Sequence, residues 1–127
     1  MVGIEKFIES VCVQPTVYWE VNGLDGFGGR AYKNPVEIYV RWDHETRVVK
    51  STNGEELIVK GKILTTQDLT VQGLLTLGSL ADFTPLQLND PKSIPEVYEI
   101  VLFSKIPMIK STTVFVRTAY VGATKNR

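Results

Sequence analysis

The sequence predicts a mainly β fold: a small antiparallel β-barrel of about six or seven strands, with a short N-terminal helix and long loops. Three observations predict it. Short runs rich in β-branched and aromatic residues recur along the chain. Clusters of Gly, Pro and Asn separate them. Residues 36–42 alternate cleanly, with Val36, Ile38, Val40 and Trp42 on one face and Glu37, Tyr39 and Arg41 on the other. Closing such a sheet hides edges that otherwise pair with other chains. At 127 residues the chain reads as one domain, 1–127, long enough to bury a core without cross-links.

The elements follow in order. Ile4, Phe7, Ile8 and Val11 fall at helical spacing, and Glu5, Lys6, Glu9 and Ser10 lie off that face. This predicts a short amphipathic helix that ends before Pro15, because the residue preceding a proline avoids the α region. Residues 16–21 read as a strand. Residues 22–34 hold four glycines and too few apolar residues to pack alone, so they form a loop. Its turns come from Asp25-Gly26 and Gly28-Gly29, with Phe27 anchoring the crossing before Arg30.

After the alternating strand come two strand-like arms, residues 47–50 and 55–60, the second extending through Gly61 to Thr65. Asn53-Gly54 between them is a strong hairpin signal, since a type I′ turn needs positive φ at both central residues. Residues 71–77 are a further strand, with Gly73 and Gly78 marking a bulge or its end. Residues 79–95 form a long connection in which Pro85, Pro91 and Pro95 break regular structure. Two strands close the fold, residues 97–104 and 113–121, joined by a loop at 105–111. The polar, basic tail from Gly122 to Arg127 is expected to fray.

Composition limits function. The formal net charge is zero, from 14 basic and 14 acidic residues, which argues against tight binding driven by phosphate neutralisation. Cys12 is the only cysteine, so there is neither an internal disulfide nor a thiolate cluster for zinc, which fits a reducing compartment. The N-terminal residues carry charges within their apolar stretch, unlike a signal peptide, and no run approaches the roughly 20 apolar residues that span a bilayer. A soluble, cytosolic protein is expected.

Catalytic signatures are missing. Asp43-His44 is adjacent in sequence, but neighbouring strand residues point to opposite faces, and no nucleophile accompanies them. Cys12 has no Lys, Arg or His beside it in sequence to lower its pKa and reads as a buried structural thiol. The glycine loop matches neither phosphate-binding spacing. Glu55-Glu56 reads as a solvated hairpin end, without the converging oxygens calcium needs. Trp19, Trp42, Tyr18 and Tyr39 suggest a base-stacking platform, but such platforms come with a basic groove. The reading preferred here puts Trp19, Ile38, Val40 and Trp42 in the core and the tyrosines at the rim. No catalytic, cofactor or metal site is expected. The residues alone lead to an assembly subunit, or to a small β-barrel binding module for peptide or single-stranded nucleic acid.

Several blocks together carry a more definite signal. They are Val17-Tyr18-Trp19, Gly23-Leu24-Asp25-Gly26-Phe27-Gly28-Gly29-Arg30, Pro35-Val36-Glu37-Ile38 and Arg41-Trp42, followed by Asn53-Gly54-Glu55-Glu56, Asp90-Pro91, Tyr98-Glu99-Ile100 and Phe103-Ser104-Lys105-Ile106-Pro107. In this order the chain resembles the head-completion, or stopper, proteins of the head–tail connector of long-tailed bacteriophages. The resemblance implies a virion protein, made in the bacterial cytoplasm and without a cofactor. It would form a homo-oligomeric, six-fold ring below the adaptor and portal rings, closing the DNA-filled head. The tail terminator or tail tube would dock beneath it. Double-stranded DNA would pass non-specifically through its channel, and no membrane is involved. In such proteins a long loop gates the channel. The matching segment here lies within residues 45–56, and its candidate gate residues are Lys50, Ser51, Thr52, Asn53, Gly54 and Glu55.

Overall fold

The computed structural model describes residues 10–24, 30–50, 54–107 and 115–123. Its strands are β1 (Gln14–Trp19), β2 (Val21–Leu24), β3 (Arg30–Tyr32), β4 (Val36–Lys50), β5 (Glu56–Thr65), β6 (Leu74–Leu77), β7 (Tyr98–Pro107) and β8 (Phe115–Ala123). Six of them close a barrel in the order β1-β4-β5-β8-β7-β6, every neighbouring pair antiparallel. Strands β2 and β3 form a separate two-stranded ribbon. Ser10 and Val11 are helical. The rest of the expected N-terminal helix lies outside the described residues, as does the tail beyond Ala123.

Strand periodicity sorts the apolar residues into two cores. Inside the barrel pack Tyr18, Ile38, Val40, Trp42, Ile63, Leu75, Ile100, Ala119 and Val121, with Leu69 from the β5–β6 connection. Outside it, Val17, Trp19 and Leu74 pack with Ile94 and Val97 from the β6–β7 connection. Tyr18 and Trp19 are neighbours on β1 and therefore serve different cores. The two tryptophans do so as well. Tyr18 is 3% exposed, not a rim residue as expected, because its parity turns it inward. Its hydroxyl accepts from Thr70 N at 2.9 Å and lies 3.0 Å from Thr70 Oγ1.

The β6–β7 connection is more regular than its prolines suggested. It contains a 3-10 turn (Leu80–Asp82), helix α1 (Pro85–Asn89) and a second 3-10 turn (Pro91–Ser93). Pro85 and Pro91 each sit in the first turn of their element, where the missing N–H costs no hydrogen bond. Thr84 caps α1: its Oγ1 accepts from Gln87 N at 3.2 Å, and Gln87 Oε1 accepts from Thr84 N at 3.0 Å. Trp19 Nε1 donates to Leu88 O at 3.0 Å and ties this connection to the barrel wall.

Other boundaries move for local reasons. The expected strand at 71–77 begins only at Leu74, because Val71 and Gln72 turn, with Gln72 at φ +79. Strand β8 continues through Gly122, which the sequence reading assigned to the tail. A Cβ there would lie 3.2 Å from Ile58 O, so glycine permits this close approach of strands. Strand β7 runs to Pro107, lengthening the β7–β8 hairpin beyond the expected strand end. The barrel is joined between β6 and β7 by only two residue pairs, Leu74↔Glu99 and Leu75↔Tyr98. They are flanked by Gln72 N to Ile100 O at 2.7 Å and Ile100 N to Gly73 O at 2.9 Å.

Candidate functional site

Strand β4 is a single 15-residue strand rather than the two pieces expected. The register shifts between His44 and Arg47, where β4 spends three steps against two on β5. That extra residue is a bulge, and it reverses which residues face inward. Trp42 faces the barrel interior opposite Ile63. Beyond the bulge, Val49 and Leu57 take the inward side and Val48 and Ile58 the outward side. Strand β1 pairs with β4 only at residues 36–40, and β8 pairs with β5 only at residues 61–65. Residues 48–50 and 56–58 therefore project as a two-stranded ribbon, with Gly122 of β8 still against the Ile58 carbonyl at its base. Three residues per strand reach about 10 Å at strand rise.

At the end of this ribbon Lys50 pairs with Glu56, so the connection is residues 51–55. The type I′ turn expected at Asn53-Gly54 includes Asn53 and so falls partly outside the described residues. Ser51, Thr52 and Asn53 lie outside the described residues. Gly54 has φ +84, a left-handed conformation suited to glycine, and Gly54 and Glu55 are exposed. Val48 and Ile58 are opposite each other and are 58% and 64% exposed. The β7–β8 hairpin also extends, to Pro107↔Phe115, and by strand direction it points from the opposite end of the barrel.

The glycine loop closes the β2–β3 ribbon. Asp25, Gly26, Phe27, Gly28 and Gly29 lie outside the described residues, and Arg30 opens β3. At the base of the ribbon, Lys33 N donates to Glu20 O at 2.8 Å, and Lys33 Nζ meets Glu20 Oε2 at 2.8 Å. The Glu20 carboxylate raises the Lys33 pKa, chiefly through this hydrogen bond.

The groups weighed for chemistry are not brought together. Asp43 lies 3.6 Å from Arg41 on the outer face, while His44 is on the inward side, exposed at the barrel's end, with its ring 5.8 Å from that of Trp42. The two do not form a catalytic pair. Cys12 is buried, its Sγ donates to Leu64 O at 3.4 Å, and burial pushes its pKa up, the reverse of an activated thiol. Arg41, which the sequence around Cys12 does not reveal, is close enough to oppose that rise only in part. Among the described residues no group of three or more His, Cys, Asp or Glu is placed to hold a metal ion.

The stacking platform is not assembled either. Tyr18, Trp19 and Trp42 are buried in two separate cores, and only Tyr39 is exposed, donating to Glu37 Oε2 at 2.8 Å. One cavity of about 90 Å³ lies against His44, Thr76, Leu77, Glu96 and Tyr98. Another of about 230 Å³ lies between Trp19, residues 31–35 and α1. Both fall below the roughly 300–1,000 Å³ of small-molecule sites. No helix among the described residues is long and apolar enough to cross a membrane.

What remains distinctive among the described residues is the outside of the barrel: a projecting ribbon, a helical connection on one wall and a row of outward-facing lysines on the opposite wall. No protein-family model matches this chain, and no characterised protein is significantly similar to it.

Proposed function

We propose that this chain is a structural subunit of a bacteriophage head–tail connector, of the head-completion kind. The support is the ordered set of short blocks that resemble that family, spread over most of the chain. The projecting β4–β5 ribbon is the observation that carries the role. A compact barrel with a two-stranded arm beyond its wall suits a ring subunit that holds its body in the ring and extends an arm into a channel. On this reading residues 50–55 reach toward the channel axis and obstruct the DNA. The subunit is recruited by the adaptor or portal ring above it and presents a surface to the tail below. Its neutral charge lets duplex slide, since each Lys or Arg contact to phosphate adds salt-dependent affinity.

The test uses DNA-filled, tailless phage heads. The chain should bind them in a stoichiometric ring and stop the loss of DNA. A variant with residues 51–55 replaced by Asn-Gly should still fold and bind, but release DNA. Unchanged retention removes the gate assignment and leaves the connector role. No binding to heads, together with tight binding to a peptide or single-stranded nucleic acid, selects the binding-module reading instead.

A further inference from the structure

The barrel has two opposite walls of unlike charge. In the strand order β1-β4-β5-β8-β7-β6, the β5–β8 wall lies across from the β1–β6 wall. The β1–β6 wall is covered by the β6–β7 connection, which packs on Val17, Trp19 and Leu74. That connection carries Asp82, Asp90 and Glu96, all exposed, against one cation, Lys92. Three anions and one cation leave a surplus of two negative charges. Asp82 accepts from Ser79 N, and none of the three makes an ion pair among the described residues. Leu86 on α1, in the same connection, is 78% exposed.

The β5–β8 wall has the opposite character. Outward-facing Lys60 and Lys62 on β5, with Arg41 and Lys50 on the adjoining β4, outnumber Asp43 and Glu56. Four cations and two anions leave a surplus of two positive charges. Lys60 and Lys62 make no ion pair among the described residues. Exposed Ile58 continues the β5 row, and half-buried Leu64 and Tyr120 flank Lys62.

We infer that a second copy of this chain docks its acidic connection, exposed Leu86 included, on the basic β5–β8 wall of the first. The two surfaces differ and lie on opposite sides of one barrel, so the contact is head-to-tail and repeats from subunit to subunit. The equal and opposite surpluses favour a copy of the same chain over nucleic acid, which would leave the acidic wall unmatched, and they set the direction of docking. This rests on the connector reading only for the expectation that the chain of contacts closes into a ring. The contact itself is read from the two walls.

Carbodiimide coupling joins an amine to a touching carboxylate, so it reports this contact directly. The wild-type chain, concentrated at low salt, should give multimers whose linked peptides join Lys60 or Lys62 of one copy to Asp90 or Glu96 of the next. Raising the salt should reduce them by screening. The double variant K60E/K62E should lose about tenfold or more of the multimer, as should D90K/E96K, because each sets like charges face to face. Mixing the two variants should restore it. Matching melting temperatures will show that both variants fold. Multimers linked through other surfaces, yields unchanged in the variants, or no multimers at all would overturn the inference. The same variants on DNA-filled heads separate the two readings. Charge-reversed subunits that dock as a full ring sink this contact and keep the connector, whereas wild-type chains that couple as expected but ignore heads do the reverse.

Discussion

Gly61 is what admits Trp42 to the barrel. A Cβ at Gly61 would lie 2.9 Å from Trp42 Nε1 and 3.2 Å from Val121 Cγ2. The indole packs edge-on to Tyr98, ring centroids 5.5 Å apart, and its Nε1 has no hydrogen-bond partner among the described residues. Gly61→Ala should therefore destabilise the fold by about 1–3 kcal/mol, the cost of overpacking a filled core. Trp42→Ala should cost about 3–5 kcal/mol. Chemical denaturation of both variants checks this. The alternation of residues 36–42 made Trp42 legible as core. Nothing in the sequence marked Gly61 as its partner, because that pairing depends on the β4–β5 register.

Cys12 has a pH consequence of its own. Burial raises its pKa above the ordinary 9.0, so the folded state holds the proton more tightly than the unfolded chain. The stability this contributes is full below the unfolded value and is lost as pH rises from about 9 through the folded pKa. Cys12→Ser should flatten that alkaline loss in thermal melts. In the native chain the thiol should react with a disulfide reagent more slowly at pH 8 than in the denatured chain.

Among the elements, the β6–β7 connection most needed the structure. Its prolines read as breakers, yet Pro85 and Pro91 start helical turns, and Thr84 with Gln87 supplies a capping box that the sequence carried in plain view. The pattern Thr-Pro-x-Gln was legible as a helix start. What outweighed it was the proline count. The anchor, Trp19 to Leu88, spans 69 positions and no local pattern could reveal it. Trp19→Phe keeps most of the packing and removes that hydrogen bond. It should cost about 0.5–1.5 kcal/mol from the bond, plus the smaller ring's lost contacts. The added hydrogen exchange should concentrate at residues 80–97; loss spread evenly over the barrel would contradict the anchoring role. The β4–β5 ribbon was half legible. Its arms and turn residues were visible, but the bulge at residues 44–47, which reverses the faces, leaves no local signature.

For the whole molecule, strand-rich runs and turn spacing were enough to indicate a closed antiparallel barrel. They did not reveal that its apolar residues serve two cores, since that follows from which wall the connection covers. Net neutrality now has a spatial form: two walls whose surpluses cancel. Among the described residues free duplex DNA therefore meets no uniformly basic surface. At physiological salt the chain should bind duplex no more tightly than the roughly 10⁻⁴–10⁻⁶ M of non-specific association. Titration with labelled duplex checks this, and nanomolar binding would contradict the neutral-channel reading.

The narrow join between β6 and β7 sets an order of events in time. The β4–β5 and β7–β8 hairpins bring together residues close in sequence and can form early. The β5–β8 pairing, Gly61↔Val121, must wait for a long intervening loop to close. The seam at Leu74↔Glu99 and Leu75↔Tyr98 can close only when β1, β6 and β7 are all in place, and it gains few hydrogen bonds when it does. Its formation is expected last and its opening first. A native barrel that breathes would then do so by parting β6 from β7, uncovering Leu75 and Ile100 while both hairpins stay intact.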